Sequence, residues 1–450
     1  MLKCFYLFFL SRKADKVNQH SLVTCTLGII SDIHIKEEDA DSAANFRAAL
    51  LQLVEKATQT GAALDGVLAV GDLVNNMRPE QIRIFKSIYE EILDPEKIPL
   101  IHCYGDDHDL VWSDPHAADI IREYTEIFGE SYYRYDVDSS AIFAGNRHAV
   151  IKGYHILALE PAGRRPIVYS TQTKKWLADS LAAITQSEPE KFVIVMTHPM
   201  IADTVYGSEL GGGAWATEEL TDILSKYPQA VVFSGHLHFP LNDPRSIMQT
   251  EFTAVGTGAV RYLGVETDGF AKPAAPCLVP DSFQLSQGLF MQLSSAGDMS
   301  LTRLDFKKQA EIGEKWIVPH PKGDYSHLSV YTRARADKRH NKPPVLHGFS
   351  VEFLPGDAPE RRDALIRFPA GTDDEFVHHY IIEYGEKDGE KKRRRIVTDF
   401  YSSPSPSDMK KEWELILPDF ACGAPYMFTL TAYDSWNAAS KALTAEIVCQ

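Results

Sequence analysis

The 450 residues carry a formal net charge of −16, with 44% hydrophobic and 24% charged side chains. Those are the values of a globular chain of two or three domains. The acidic balance argues against binding to nucleic acid or an anionic membrane, because both would repel it. No apolar run approaches the ~18 residues needed to span a bilayer. The six cysteines, Cys4, Cys25, Cys103, Cys277, Cys422 and Cys449, form no C-x-x-C pair. That usage suits reduced, space-filling thiols and a cytoplasmic setting over a secreted one.

Taken in chain order, residues 1–21, which begin "MLKCFYLFFLSRKADK", have a short apolar stretch without a small-residue cleavage pattern and are expected to be an N-terminal extension. From Leu22, apolar runs alternate with amphipathic stretches. "LVTCTLGIIS", "GVLAVG", "IPLIHCYG", "YHILALE", "KFVIVMT" and "AVVFSG" read as strands buried on both faces. "DSAANFRAALLQLVEKAT", "PEQIRIFKSIYEEIL", "TKKWLADSLAAI" and "TEELTDILSKY" read as helices. The alternation predicts an α/β layered domain over residues 22–320, closed by a hairpin in "GLFMQLSSAGDMSLTRLDF". Residues 321–346 are polar and Pro-bearing, the texture of a linker. Residues 347–450 alternate in the manner of a small all-β sandwich, of fibronectin type III rather than immunoglobulin kind because the Cys-Trp-Cys pattern is missing. Within it, the basic run 391–395 is expected on a solvated edge strand, and His378-His379 on the surface.

The chemistry collects where the buried strands end. "LGII" is followed by Asp32 and His34, "VLAV" by Asp72, "IHCY" by Asp106, Asp107, His108 and Asp109, "VIVM" by His198, and "VVFS" by His236 and His238. In an open α/β sheet, ligands bind in the crevice beyond the carboxyl ends of the strands. Oxygen and nitrogen donors without thiolate suit Mn, Fe, Zn, Ni or Co. Three carboxylates and four imidazoles exceed what one tetrahedral ion needs and match two divalent ions, bridged by a carboxylate at about 3.5–4 Å. The H-x-H pair points both rings to one side of an extended segment, so each can reach a different ion.

The ordered set D-x-H, G-D, (G)-N-H-D, H and G-H-x-H resembles the calcineurin-like metallophosphoesterase family. The stretch "FSGHLHFPLNDPRSI" is similar to bacterial members with a fibronectin-like C-terminal module. The resemblance implies a four-layer α/β/β/α sandwich. It implies that Asp32, His34 and His238 hold one metal, that Asp72 bridges, and that Asp107, His198 and His236 hold the other. His108 would protonate the leaving oxygen, as a general acid, while a hydroxide between the ions attacks phosphorus in line. Asp109 would orient His108 or cap the next segment. This sequence departs from the family pattern at one point: the local string is G-D-D-H-D, with Asp107, directly before His108, aligned to the family Asn, and Asp106 an extra residue that a shifted loop would make the ligand instead. An added carboxylate binds the second metal more tightly, attracts phosphate less and raises the pKa of the bridging water.

Around the site, Asn75 is a candidate donor to a phosphate oxygen. Tyr206 and Trp215 lie on the long Gly-rich loop after His198, and Arg245 and Tyr262 lie on loops after the G-H-x-H strand. His102, inside an apolar strand, reads as a core or supporting histidine. The expected reaction is metal-dependent hydrolysis of a small-molecule phosphomonoester or phosphodiester, nucleotides among the candidates. The alternative is a metal-loaded binding or scaffold protein with weak catalysis, its β-sandwich recruiting a partner or glycan.

Overall fold

The computed structural model describes residues 22–105, 108–110, 116–138, 145–209, 214–266 and 276–450. The expected N-terminal extension, Asp106 and Asp107 lie outside the described residues.

The chain first lays down β1 (Val23–Ile30), α1 (Ala40–Gln59), β2 (Gly66–Val70), α2 (Pro79–Ile92), β3 (Leu100–Cys103) and α3 (Ala117–Phe128). The strands run parallel, with Ile29 opposite Leu68 and Leu68 opposite Ile101. α1 begins where the Asp39 carboxylate accepts from the Asp41 and Ser42 amides. The predicted hairpin, Gln287–Ser294 with Met299–Asp305, joins the free side of β1 in antiparallel register. A second sheet is ordered Ile247–Gln249, Thr253–Gly256, Ala230–Ser234, Val193–Thr197, Tyr154–Leu159, Arg147–Ile151 and Asp136–Asp138. The strands beginning at Tyr154, Val193, Ala230 and Thr253 are mutually parallel.

Side-chain alternation along these strands makes the layers. Leu27, Ile29, Leu68 and Val70 meet Ile194, Met196, Val231 and Phe233 between the sheets. The opposite faces take helices. Ile30, Val67 and Ala69 pack on Phe46, Leu50, Ile82 and Phe85. Val193, Val195 and Val232 pack on Leu177, Leu181 and Ile184 of the helix Thr171–Ser187. The result is the expected α/β/β/α sandwich. One predicted helix is much shorter than its pattern suggested: of "TEELTDILSKY" only Thr221–Leu224 is α-helical, a single turn ending four residues before Pro228.

The C-terminal region is all-β, with one sheet of Ser350–Pro355, Arg361–Pro369 and Glu412–Ala421. The other is ordered Lys392–Val397, His379–Glu386, Pro425–Tyr433 and Leu443–Val448. Ile366, Phe368, Tyr380, Ile382, Phe428 and Leu430 fill the space between them. Residues 321–346 carry one short 3-10 turn and lie against the α/β region. There the His327 ring is 2.9 Å from the Pro228 carbonyl, and Arg335 donates to the carbonyls of Pro244 and Ile247.

Two expectations for this region need correction. His378 and His379 are buried, at 0% and 2% exposure, not on the surface. The His379 ring stacks on Tyr433 at 4.8 Å and His378 lies 4.6 Å from Phe400, so both serve as flat packing groups. The basic run does form the edge strand, but its last member, Arg395, turns inward and donates to the Glu266 carbonyl at 2.7 Å.

Candidate metal centre

The two sheets face each other so that the carboxyl ends of β1, β2, Val193–Thr197 and Ala230–Ser234 open on one crevice. Asp32, His34, Asp72, His198, His236 and His238 stand there, each 7% exposed or less. Asp32, His34, Asp72 and His238 form one group of donor atoms within 4.8 Å of one another, and Asp72, His198 and His236 form a second. Asp72 belongs to both. Its Oδ2 is 3.2 Å from His198 Nε2 and 3.6 Å from His34 Nε2. His238 Nε2 is 3.1 Å from Asp32 Oδ1 and 3.2 Å from His34 Nε2.

The backbone is bent to make this convergence. Asp32, His34, Asp72, His236 and His238 all have φ between 50° and 76°. The left-handed region costs a residue with a Cβ of order 1–3 kcal/mol, and such strain persists where the surroundings impose it. Five strained residues in one cluster mark a site whose geometry outranks local preference. Glycines supply the remaining room. A Cβ on Gly105 would lie 1.7 Å from Asp72 Oδ1, and one on Gly71 would lie 2.5 Å from the His198 ring.

Hydrogen bonds at the far side of each ring set which nitrogen faces the cluster. His198 Nδ1 lies 2.8 Å from the Val70 carbonyl, and His238 Nδ1 lies 3.0 Å from the Tyr262 carbonyl. A carbonyl only accepts, so Nδ1 carries the proton and Nε2 presents its lone pair inward. His236 is reversed: Nε2 faces the Ala214 carbonyl at 3.4 Å, which leaves Nδ1 as its donor. Burial holds the His34 imidazole neutral, down to about 3, against the pull of Asp72. Burial alone would raise the Asp32 carboxyl, but His238 and His198 outweigh it and bring the group down to about 2. The Asp72 carboxyl, raised by burial, is likewise lowered overall by His198 and His34. A neutral His34 imidazole and ionised Asp32 and Asp72 carboxylates are states in which a divalent ion is bound. Asp72 Oδ1 and His34 Nδ1 are buried with no hydrogen-bond partner among the described residues. Donor type, convergence and protonation therefore fit a metal centre.

The other expected residues divide. His108 is half-buried with Nδ1 2.8 Å from the Asn75 carbonyl, and its ring meets His34 edge-on at 4.6 Å. Asn75 thus meets the site through its backbone oxygen. Tyr262 is at the site too, its ring stacked on His238 at 4.1 Å. Across from it, Trp215 lies 5.1 Å from His236. Asp109 is engaged differently from its expected role beside His108. Its carboxylate accepts from the Leu73, Val74 and Gly105 amides at 2.8–3.0 Å and ties the loop after β2 to the loop after β3.

Tyr206 and Arg245 depart from the expectation of substrate contact. They are 3% and 7% exposed, and the Arg245 guanidinium is held bidentate by Asp243 at 2.8 and 2.7 Å. The Tyr206 hydroxyl meets Glu266 and, at 3.1 Å, His378 of the C-terminal region. Their charges and hydroxyl are already satisfied, and they join the two regions of the chain. His102 is a core residue, stacked 4.7 Å from Phe128. Sequence reasoning overlooked Ser31 and Asn45. Ser31 Oγ donates to Asp32 at 2.5 Å, and Asn45 holds the Val260 carbonyl, and with it the Tyr262 loop, at 3.1 Å. Adjacency to the D-x-H motif was the available signal for Ser31; for Asn45 there was none.

Residues 25–240 match the family model described as calcineurin-like phosphoesterase. That span holds the whole donor cluster, and the family uses divalent metals to hydrolyse phosphoesters. No curated protein matches the chain. Among solved structures, the crystal structure of chicken CNTN1 FN1–FN3 domains is 11% identical with a TM-score of 0.19, covering 36% of this chain and 46% of that one. This chain therefore spans less than half the length of that relative. A chain titled "Myokine structure" is 15% identical with a TM-score of 0.16, covering 24% of this chain and 99% of that one.

Proposed function

We propose that the chain is a metal-dependent phosphoesterase with a two-ion centre. Asp32, His34 and His238 would hold one ion, His198, His236 and Asp107 the other, and Asp72 would be shared between them. The observation that supports this best is the sharing of Asp72 between two donor sets. When bound, the metal pair supplies an activated water and neutralises the phosphoryl oxygens. The protein's own part is positioning and proton transfer. With its Nδ1 proton held by the Asn75 carbonyl, His108 is left with Nε2 to carry a proton to the departing oxygen. Trp215 and Tyr262 flank the ligands with aromatic faces, which suits an ester bearing a ring, nucleotides included. The substrate is a small-molecule mono- or diester, and the α/β region 22–320 is the catalytic domain. Residues 321–346 join it to a fibronectin type III-like module at 347–450.

Purified protein should contain a divalent metal and hydrolyse mono- or bis-aryl phosphate with Mn supplied. The His108→Ala variant should keep its metal and lose roughly 10²–10⁴ in kcat. Absence of turnover of both esters with every divalent ion tried would overturn the reading. A large gain on Asp107→Asn would instead favour a metal-loaded scaffold with suppressed catalysis.

A further inference from the structure

A second cavity, of about 470 Å³, lies where the catalytic region, residues 321–346 and the C-terminal module meet. That is the size of a pocket for a small organic molecule. Its lining includes Trp316, Tyr331 and Phe376, and two arginines, Arg303 and Arg335. Glu314 and Lys315, both exposed, stand at its rim.

The arginines are the unusual feature. Arg303 is 8% exposed, and its guanidinium donates to the carbonyls of Leu241 and Glu314, each at 2.9 Å. Its Nε has no hydrogen-bond partner among the described residues. Arg335 donates only to neutral groups, among them the carbonyls of Pro244, Ile247 and Tyr331. Among the described residues, no ion pair is formed by either. Two acids among the described residues belong to the lining: Glu375, which takes the Trp436 indole N–H at 3.3 Å and acts on both guanidiniums by charge, and exposed Glu314, which acts on Arg303. Elsewhere in this protein buried arginines are closely paired, Arg147 with Asp136 at 2.9 Å and Arg245 with Asp243 at 2.7 Å. Desolvated charges without a counter-ion in contact are costly. Burial lowers both guanidiniums, each to about 10, so both remain cationic at neutral pH. Arg303 Cζ also lies over the Trp316 ring, 4.4 Å from its centroid, which places the cation beside an aromatic wall.

We propose that this cavity is a binding site for a small aromatic anion, its carboxylate or phosphate taken by Arg303 and Arg335 and its ring by the aromatic wall. Charge and shape both point that way. Arg303 and Arg335 bring positive charge held by neutral carbonyls, Arg303 Nε still lacks an acceptor among the described residues, and the wall supplies apolar surface that excludes water from the pair. The site is independent of the metal centre. Its lining includes Asn242 and Pro244, four and six residues after His238, so an occupant would lie against the segment just beyond the H-x-H histidines.

Titration calorimetry of the full chain with 2-naphthoate, at neutral pH and with and without a chelator, tests this. One saturable site is expected, unchanged by chelation, with neutral 2-naphthol at least about tenfold weaker. Arg335→Gln should weaken naphthoate binding at least about tenfold, whereas Glu375→Gln, which removes the competing acid, should strengthen it. Arg303→Gln should abolish it if the variant folds. Absence of saturable binding, equal binding of naphthol, loss on chelation, or indifference to Arg335→Gln would overturn the proposal.

Discussion

Gly105 shows how closely one residue can be fitted to a site. Any Cβ there would collide with Asp72 Oδ1, and Asp72 belongs to both donor groups. Gly105→Ala should therefore lower metal affinity roughly 10–100-fold, as disturbed support of a ligand does, with secondary structure unchanged. Metal titration beside circular dichroism reads both. Asp109 works at a different level. Its buried carboxylate satisfies three backbone amides on two loops. Asp109→Ala should cost about 3 kcal/mol, measured by denaturant unfolding, because amides bonded to a charge are left in a dry place. Asp109→Asn, which keeps an acceptor, should cost less. If Asp109 acted mainly on His108, Asn would instead lower activity while leaving stability intact.

At the level of elements, the strand starting at His379 and the loop bearing Tyr206 meet through buried polar groups rather than a plain apolar seam. His378 lies 3.6 Å from Glu266, and Arg395 lies 3.2 Å from it. Tyr206 packs 4.6 Å from Phe239, the neighbour of His238. Burial, with Arg245 and then His379 and Arg395 adding to it, drives the His378 imidazole well below its usual range. Burial with Arg395 and Arg245 takes His379 down to about 2. Both fold as neutral rings. Their stabilising effect is complete above about pH 6.5, where the unfolded rings are also neutral, and it is lost as pH falls below that. Each ring steepens the loss by up to about 1.4 kcal/mol per pH unit. Unfolding midpoints of His379→Gln between pH 6 and pH 4 should fall less steeply than those of the unaltered chain. An identical slope would show that the ring titrates normally in the fold.

At the scale of the whole molecule, the two regions are stitched by bonds that each would leave unsatisfied alone. Asn242 donates to the Ser403 carbonyl at 2.8 Å, and Arg395 and His378 reach Glu266 and Tyr206. Calorimetric unfolding should accordingly show one transition, and two resolved transitions would contradict such coupling. The charge of −16 adds a long-range term. It repels an anionic ester until salt screens it over about 10 Å. Raising ionic strength from low to physiological should therefore increase kcat/KM for a doubly charged monoester more than for a singly charged diester.

What the sequence determined by itself is the order of chemistry along the chain and the burial on both faces of the strands that carry it. Asp and His after successive apolar runs sufficed to name Asp32, His34, Asp72, His198, His236 and His238, because strand ends in parallel sheets face one crevice whatever the intervening chain does. Helices with strong apolar spacing were equally plain, while "TEELTDILSKY" yielded one turn because packing, not propensity, decided its length. Only the tertiary structure decided what meets side chains far apart in sequence. His378 and Arg395 looked like surface residues, and Tyr206 and Arg245 looked like substrate contacts, because exposure depends on which domain covers a loop. That covering is a non-local contact with no period to announce it. The left-handed φ values of five ligand residues belong to the same class, since local sequence disfavours them and only the assembled crevice holds them.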